Sequence, residues 1–247
     1  MGFNVHIKNN VIYTTEVSNS FSNVYIKVRK KEQRILSDIE VVLLPHLGSK
    51  EWRLRKKSTN RFLAYLTSKK TSQKILDIGC GNGWFSNAMA QVSEKNKVTG
   101  LDINIEELEQ AARVFKKENL QFIYADIFKV EEKFDQHYDI ITLNASIQYF
   151  PDLEILFNIL KTFLRSDGEI HIIDSPFYDS NQLTEAKKRT SHYYTQLGFP
   201  DMTNLYFHHS KDDISEFKKL YTSKKSLIRK LLGRKDSPFS WYCYTSI

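Results

Sequence analysis

Short apolar runs closed by glycine or an acidic residue alternate along this chain with longer segments whose apolar positions recur at helical spacing. Lys74–Ile78 (KILDI) is a β-rich run ending at Gly79, and Gly83–Val92 then reads as a helix. Val98–Ile103 is a second strand. Asn104 can cap a helix running through Glu118, with Glu107 at the third helical position, as in a capping box. Phe122–Ala125, Tyr138–Asn144 and Glu169–Asp174 follow as strands. Pro151 opens a helix that places Leu153, Leu156, Phe157, Leu160 and Leu164 on one face, and Asp167-Gly168 ends it. Strands alternating with helices predict parallel βαβ units. Runs such as IITL suit strands covered on both faces. The predicted fold class is α/β, a doubly wound, mostly parallel seven-stranded sheet.

The flanks follow this pattern less closely. Residues 1–70 mix short strands with a basic helical stretch, Lys27–Asp38, and read as an N-terminal cap on a core spanning 71–247, the whole forming one globular unit. Beyond the fifth strand, 181–197 reads as a helix, 204–209 as a strand and 211–232 as one or two helices. These form a C-terminal helical insertion, and 240–247 is a last strand.

Composition narrows the function classes. The 247 residues are 41% hydrophobic and 26% charged, enough to fill a core. Val41-Val42-Leu43-Leu44, the longest purely apolar run, is far short of a membrane span. The opening MGFNVHIKNN has no apolar core of the secretory type, so no signal peptide is expected. Cys80 and Cys243 form neither a CxxC nor a metal set, and a reducing, cytoplasmic location is the plain reading. Lys and Arg number 36 against 29 Asp and Glu, a net charge of +7. Residues 217–235 alone carry eight basic and no acidic residues, and 7 − 8 = −1 leaves the rest near neutral.

Glycine is scarce, nine in all, yet three fall at Gly79, Gly81 and Gly83, directly after the first strand. Such a turn lets a ligand approach the backbone, and the following helix offers free N–H groups. Asp102 ends the second strand, twenty-three residues after Gly79, about where an acid meets ribose hydroxyls in a doubly wound sheet. A bound nucleoside at the C-terminal edge of the sheet is therefore expected. The spacing is G-x-G-x-G, not the G-x-G-x-x-G of dinucleotide sites, and position 84 is Trp. Asp77 precedes the turn, and its carboxylate would repel a pyrophosphate but could orient the turn or meet an ammonium group.

ILDIGCGNG at 75–83, VTGLDIN at 98–104, FIYADI at 122–127 and YDIITLNASIQYF at 138–150 resemble, in order and spacing, the successive motifs of class I S-adenosylmethionine-dependent methyltransferases. The resemblance covers roughly residues 73–175. It implies S-adenosylmethionine as cofactor and S-adenosylhomocysteine as product. The turn Gly79-Cys80-Gly81-Asn82-Gly83, with Asp77, would lie at the methionyl end. Asp102 would hold the ribose hydroxyls, Asp126 would sit beside the adenine amino group, and Ile103 and Ile127 would flank the ring. Asn144 would lie near the sulfonium. Tyr25, Arg29, Trp52 and Arg53 are candidate lid residues, and Arg55 is a candidate for the cofactor carboxylate.

The acceptor side is less defined. Where many small-molecule relatives carry histidine, this chain has Gln148 and Tyr149. Gln148 cannot act as a base, though it can bind substrate or pack into the cofactor lid. Candidate acceptor-side groups are His192 and His208, with Tyr149 and Tyr178 lining the pocket. His171 reads as a satisfied strand histidine, and no metal site is expected because no ligand spacing recurs. The leading function is methyl transfer to a small-molecule hydroxyl, with carbon or nitrogen as alternative acceptors. Segment 217–235 could dock an acidic carrier protein or an anionic surface. The preferred reading of the segment is a solvated helix face. Nucleic acid is disfavoured because the fourth motif is NASI and aromatic–basic interleaving is poor. An RNA or protein methyltransferase, or a non-catalytic cofactor-binding regulatory subunit, are the competing readings.

Overall fold

A computed structural model describes residues 5–18, 20–130, 137–222 and 236–246. In chain order the strands are β1 His6–Lys8, β2 Val11–Tyr13, β3 Lys74–Ile78, β4 Lys97–Asp102, β5 Leu120–Tyr124, β6 Tyr138–Asn144, β7 Leu164–Ile173, β8 Lys218–Tyr221 and β9 Trp241–Thr245. The helices are α1 Ser20–Lys31, α2 Asp38–Val42, α3 Lys50–Ser68, α4 Trp84–Val92, α5 Ile105–Val114, α6 Leu153–Thr162 and α7 Leu183–Leu197. The strands form one sheet in the order β1-β2-β5-β4-β3-β6-β7-β9-β8. From β2 through β7 all neighbours are parallel; β1, β9 and β8 join antiparallel to their neighbours. Among the described residues the sheet thus has nine strands where seven are expected, because β1 and β2 from the N-terminal segment extend it beyond β5.

Apolar alternation explains the two buried faces. On β3, Ile75 packs with Phe62, Phe85 and Leu108 on one side, while Leu76 and Ile78 pack with Leu156, Phe157 and Leu160 of α6 on the other. Leu156 and Leu160 are fully buried, each contributing about 1.5–3 kcal/mol by leaving water. Asp152 caps α6 by accepting from the Ile155 N–H at 3.0 Å. A third cluster joins α1 to α7 through Tyr25, Ile26, Val28, Tyr194 and Met202, and it overlies the carboxyl ends of the central strands.

Several boundaries differ from expectation. The basic helix begins at Ser20 and ends at Lys31, so Lys27–Asp38 is not one helix; a capping box at Ser37 and Glu40 starts α2 afresh. Helix α5 stops at Val114 because Phe115 leaves helical geometry, and its ring is buried. Asp167, with φ of +63°, and Gly168 do not end α6. They lie within β7, where the pairing with β6 shifts register, as at a β-bulge. Residues 200–205 form a 3-10 turn, and 206–209 contain no strand, so the expected strand at 204–209 is absent. Asp212–Ile214 is a 3-10 turn and Lys218–Tyr221 is a strand, where one or two helices are expected over 211–232. The remainder of the basic segment, 223–235, lies outside the described residues.

The strand order reverses at β3, between β4 and β6. In an open α/β sheet such a reversal leaves a crevice beyond the carboxyl ends of the strands. The glycine turn sits at that crevice.

Candidate active site

Gly79 and Gly83 both have left-handed backbone, φ +68° and +71°. A Cβ at Gly79 would meet Ser146 Cβ at 2.5 Å, and one at Gly83 would meet the Phe122 ring at 2.5 Å. Both close approaches require glycine. The turn is latched to the next strand. The Gly81 N–H donates to Asp102 Oδ2 at 2.7 Å, and the Asn104 N–H donates to Asp102 Oδ1 at 2.8 Å. Burial raises the Asp102 pKa, and these backbone donors oppose that rise.

Asp77 does not line the crevice. It is 1% exposed and accepts from Ser86 Oγ at 2.6 Å and Thr142 Oγ1 at 2.7 Å, tying β3 to α4 and β6. Burial pushes its pKa up to about 6 despite those donors. Its expected place among the cofactor contacts is therefore corrected: it braces the strand that carries the turn. Gly83 likewise lies behind the crevice, at the start of α4.

The crevice is a cavity of about 790 Å³. It brings together Gly79, Cys80, Gly81, Asn82, Asp102, Ile103, Asp126, Ile127 and Asn144, as expected, along with Trp52 and Arg55 of α3. Asp126 pairs with Lys129 at 3.1 Å and accepts from the Phe128 N–H at 3.2 Å. Arg55 donates to Glu51 at 3.0 Å and lies 5.3 Å from the Trp52 ring centre, whereas the exposed Arg53 donates to the Gly48 carbonyl. The Asn144 Oδ1 atom is buried with no hydrogen-bond partner. Such an atom costs free energy unless a bound donor satisfies it. An open glycine cradle, a carboxylate at the end of β4 and an orphaned acceptor together fit the polar, cationic S-adenosylmethionine.

A second cavity of about 660 Å³ adjoins the first, and both are lined by Tyr25, Arg29, Ala145 and Tyr149. Tyr149 packs edge-on against Tyr25 at 5.5 Å, Phe21 at 5.6 Å and Tyr206 at 5.9 Å. Ala145 holds a left-handed φ of +55° at the junction, a conformation disfavoured for alanine that its N–H bond to the Ile173 carbonyl helps to hold. Gln148, expected at the cofactor, faces this second cavity instead. Its Nε2 donates to the Ala145 carbonyl at 2.7 Å, leaving Oε1 buried and unpartnered.

The histidines are placed elsewhere. His192 is exposed on α7 and lines neither cavity. His208 contacts Thr190 Oγ1 at 2.9 Å, packs at a tilt against Tyr178 and Tyr206, and also lines neither. Tyr178 is likewise outside both linings. His171 is buried: Trp241 Nε1 donates to its Nδ1 at 3.1 Å, so Nε2 carries the proton and faces Glu169 at 3.1 Å. Cys243 completes a close Glu169–His171–Cys243 group, but Lys69 and Tyr65 already occupy the Glu169 oxygens.

Two carboxylates join the site unforeseen. Asp174, just after β7, lines the second cavity with φ of +49°. Its oxygens accept from Ser58 at 2.6 Å and Ser237 at 3.0 Å, and burial raises its pKa. Its position at the end of a parallel strand was the available signal. Glu107 lines the first cavity, and burial together with the nearby Asp102 charge pushes its pKa up to about 7. Its place at the third position of α5 reads as capping, which masks this second role. Asn104 caps α5 by accepting from the Glu107 N–H at 3.3 Å, while the Glu107 carboxylate lies against Gly81.

Among the described residues no helix is long and apolar enough to cross a membrane. A family model described as a methyltransferase domain matches residues 69–226. The chain is 33% identical over 117 residues to a malonyl-acyl-carrier-protein O-methyltransferase of Acetivibrio thermocellus, covering 47% of this chain and 41% of that one. It is 31% identical over 101 residues to a ubiquinone biosynthesis O-methyltransferase of Yersinia enterocolitica, covering 40% of each. The chain thus spans well under half the length of these curated relatives. Its fold resembles that of the magnesium protoporphyrin IX methyltransferase of Synechocystis PCC 6803, solved with bound S-adenosylhomocysteine. The TM-score there is 0.53 at 14% identity, over 93% of this chain and 96% of that one. The match over 69–226, which contains the glycine turn and Asp102, shows that the chain belongs to the class I S-adenosylmethionine-dependent methyltransferase family.

Proposed function

We propose that the chain binds S-adenosylmethionine in the first cavity and methylates a small molecule held in the second, at a hydroxyl oxygen. The observation that carries this reading is the pair of adjoining cavities meeting at Ala145 and Tyr149. The bound cofactor supplies a methyl group already activated by its sulfonium charge. The protein must align the acceptor and exclude water, which can lower the barrier by several kcal/mol.

Asp102 is suited to the ribose hydroxyls, because its carboxylate lines the cavity at the end of β4 and is oriented by backbone donors. Gly79–Asn82 cradle the methionyl part, Ile103 and Ile127 flank the adenine with Asp126 at its amino group, and Asn144 Oδ1 accepts an N–H. A hydroxyl acceptor also needs a proton acceptor. Tyr149 is a poor base, since burial holds its phenol protonated above the ordinary value, and neither His192 nor His208 lines a cavity. Asp174 is the candidate. Glu32 and Glu51, the other carboxylates there, lie in ion pairs with arginines. Ser58 Oγ is also 3.0 Å from the Arg55 carbonyl, so a proton gained by Asp174 can be shared along that hydroxyl.

The Acetivibrio relative, a malonyl-acyl-carrier-protein O-methyltransferase, raises a second reading, an acyl group presented by a carrier protein at the basic stretch beginning near β8. Incubating the protein with methyl-labelled cofactor and a metabolite extract, then identifying the labelled product, separates these readings. A labelled small molecule carrying a new methyl ether supports the first, and label only on carrier-bound acyl groups supports the second. Label on RNA or on other proteins contradicts both.

A further inference from the structure

We infer that the second cavity takes a hydroxylated acceptor that also carries an anionic group, with the hydroxyl at Gln148 and the carboxylate or phosphate met by Lys50 and Arg189. This inference rests on the methyl-transfer reading above and specifies its acceptor.

The charge lining the cavity is unbalanced. Five cationic side chains, Arg29, Arg34, Lys50, Arg55 and Arg189, face three carboxylates, Glu32, Glu51 and Asp174. The carboxylates are already engaged. Glu32 lies 3.7 Å from both Arg29 and Arg34, Glu51 pairs with Arg34 and Arg55, and Asp174 accepts from two serine hydroxyls. Lys50 and Arg189 have no carboxylate within ion-pair distance among the described residues. An anion entering here meets an excess of two cations, and Arg offers a planar fork suited to carboxylate or phosphate.

The same lining is rich in donors. Tyr149, Tyr194 and Tyr206 line the cavity, and burial raises each phenol above its ordinary pKa, so they stay neutral and can donate. A cation would find few free acceptors in this lining. The exception is Gln148 Oε1, buried and unpartnered, with the amide orientation fixed by the 2.7 Å bond from Nε2 to Ala145. It requires a donor from the bound molecule, and an O–H supplies one in the resting complex; the proton lost on transfer goes to Asp174, since an amide cannot act as the base. Gln148 lies three residues beyond Ala145, which also lines the cofactor cavity, so a hydroxyl held there is beside the junction where transfer would occur. A volume near 660 Å³ is ordinary for a small-molecule site.

The test is calorimetric titration of protein saturated with S-adenosylhomocysteine. The probes are 3-hydroxybenzoate, 3-hydroxyphenyl phosphate, 3-hydroxybenzamide, 3-hydroxybenzylamine and benzoate. At least one hydroxylated anion should bind tenfold or more tightly than the amide and the amine, and the stronger of the two identifies carboxylate or phosphate. The Lys50→Gln, Arg189→Gln double variant should remove that preference. Gln148→Leu should remove the preference for 3-hydroxybenzoate over benzoate. Both variants should retain S-adenosylhomocysteine binding within about twofold, which reports that they are folded. Equal or tighter binding of the amide or amine overturns the inference, as does an unchanged preference in the double variant. Failure of both hydroxylated anions to bind the loaded protein also overturns it and leaves the cofactor reading standing. Failure of S-adenosylhomocysteine to bind is the failure of the methyl-transfer reading itself, and the inference falls with it.

Discussion

Three carboxylates, the buried Asp77 and Asp174 and the partly buried Glu107, have distinct tasks set by their partners. Asp77 has two hydroxyl donors and no ligand access, so it is a structural acid with a measurable signature. Its folded pKa, about 6, lies above the unfolded value of about 3.9. The neutral form is therefore favoured in the fold. The stabilisation from Asp77 is complete below pH ~4 and is lost as pH rises through about 6. A pKa of about 6 in the fold against about 3.9 unfolded corresponds to about 3 kcal/mol. Asp77→Asn should remove this component, so that the difference between variant and wild-type unfolding free energies changes by that order between pH 4 and 7. A difference curve flat across that window would refute the assignment. Glu107, with a pKa near 7 beside Asp102, should make cofactor binding pH-dependent. Its ionised form accepts hydrogen bonds better, so S-adenosylhomocysteine should bind more tightly as pH rises through 7. Glu107→Gln should flatten that profile in calorimetry. Asp174→Asn should lower methyl transfer to the product identified from extract by about 10²- to 10⁴-fold, the usual range for a lost general base, with S-adenosylhomocysteine binding unchanged. A rate within threefold of wild type would remove Asp174 from the chemistry.

Elements with clear patterns were legible in the sequence. The strand β3, the turn, α4 and α6 follow from apolar spacing and glycine placement, and α6 has its acidic cap as well. Leu160 is the point where α6 meets the sheet, wholly buried among Leu76, Ile141 and Leu156. Leu160→Ala should cost about 2–5 kcal/mol in denaturant unfolding. A loss below 1 kcal/mol would mean that the packing of α6 is wrongly described. Less legible were elements whose form depends on partners distant in sequence. Lys218–Tyr221 is exposed and basic along most of its length, and only pairing with β9 makes it a strand. Val11–Tyr13 has just three residues, and its pairing with β5 is what makes it part of the sheet. Local propensity carries no information about such pairings. The bulge in β7 reads from sequence as a helix stop because Asp-Gly serves both purposes.

At the scale of the whole molecule, the parallel core presents one edge and the flanking segments roof it. Helices α1 and α3 from the N-terminal side and α7 with the following 3-10 turn from the C-terminal side enclose the second cavity. The cofactor half of the site was readable because its residues lie within successive strand–turn motifs. The second cavity was less so: Tyr25, Arg29 and Tyr149 are expected near it from sequence, but Asp174, Arg189 and Ser237 join it from segments far apart in the chain. Histidines chosen by chemical type alone, His192 and His208, fell outside it for that reason. On the function proposed above, the crevice at the strand reversal holds the methyl donor with Asp102 at its ribose. Calorimetric titration of S-adenosylhomocysteine into wild-type protein and Asp102→Ala tests it most directly. Stoichiometric binding by the wild type, weakened at least tenfold in Asp102→Ala, is the predicted result. No binding by the wild type, or equal binding by both proteins, would contradict it.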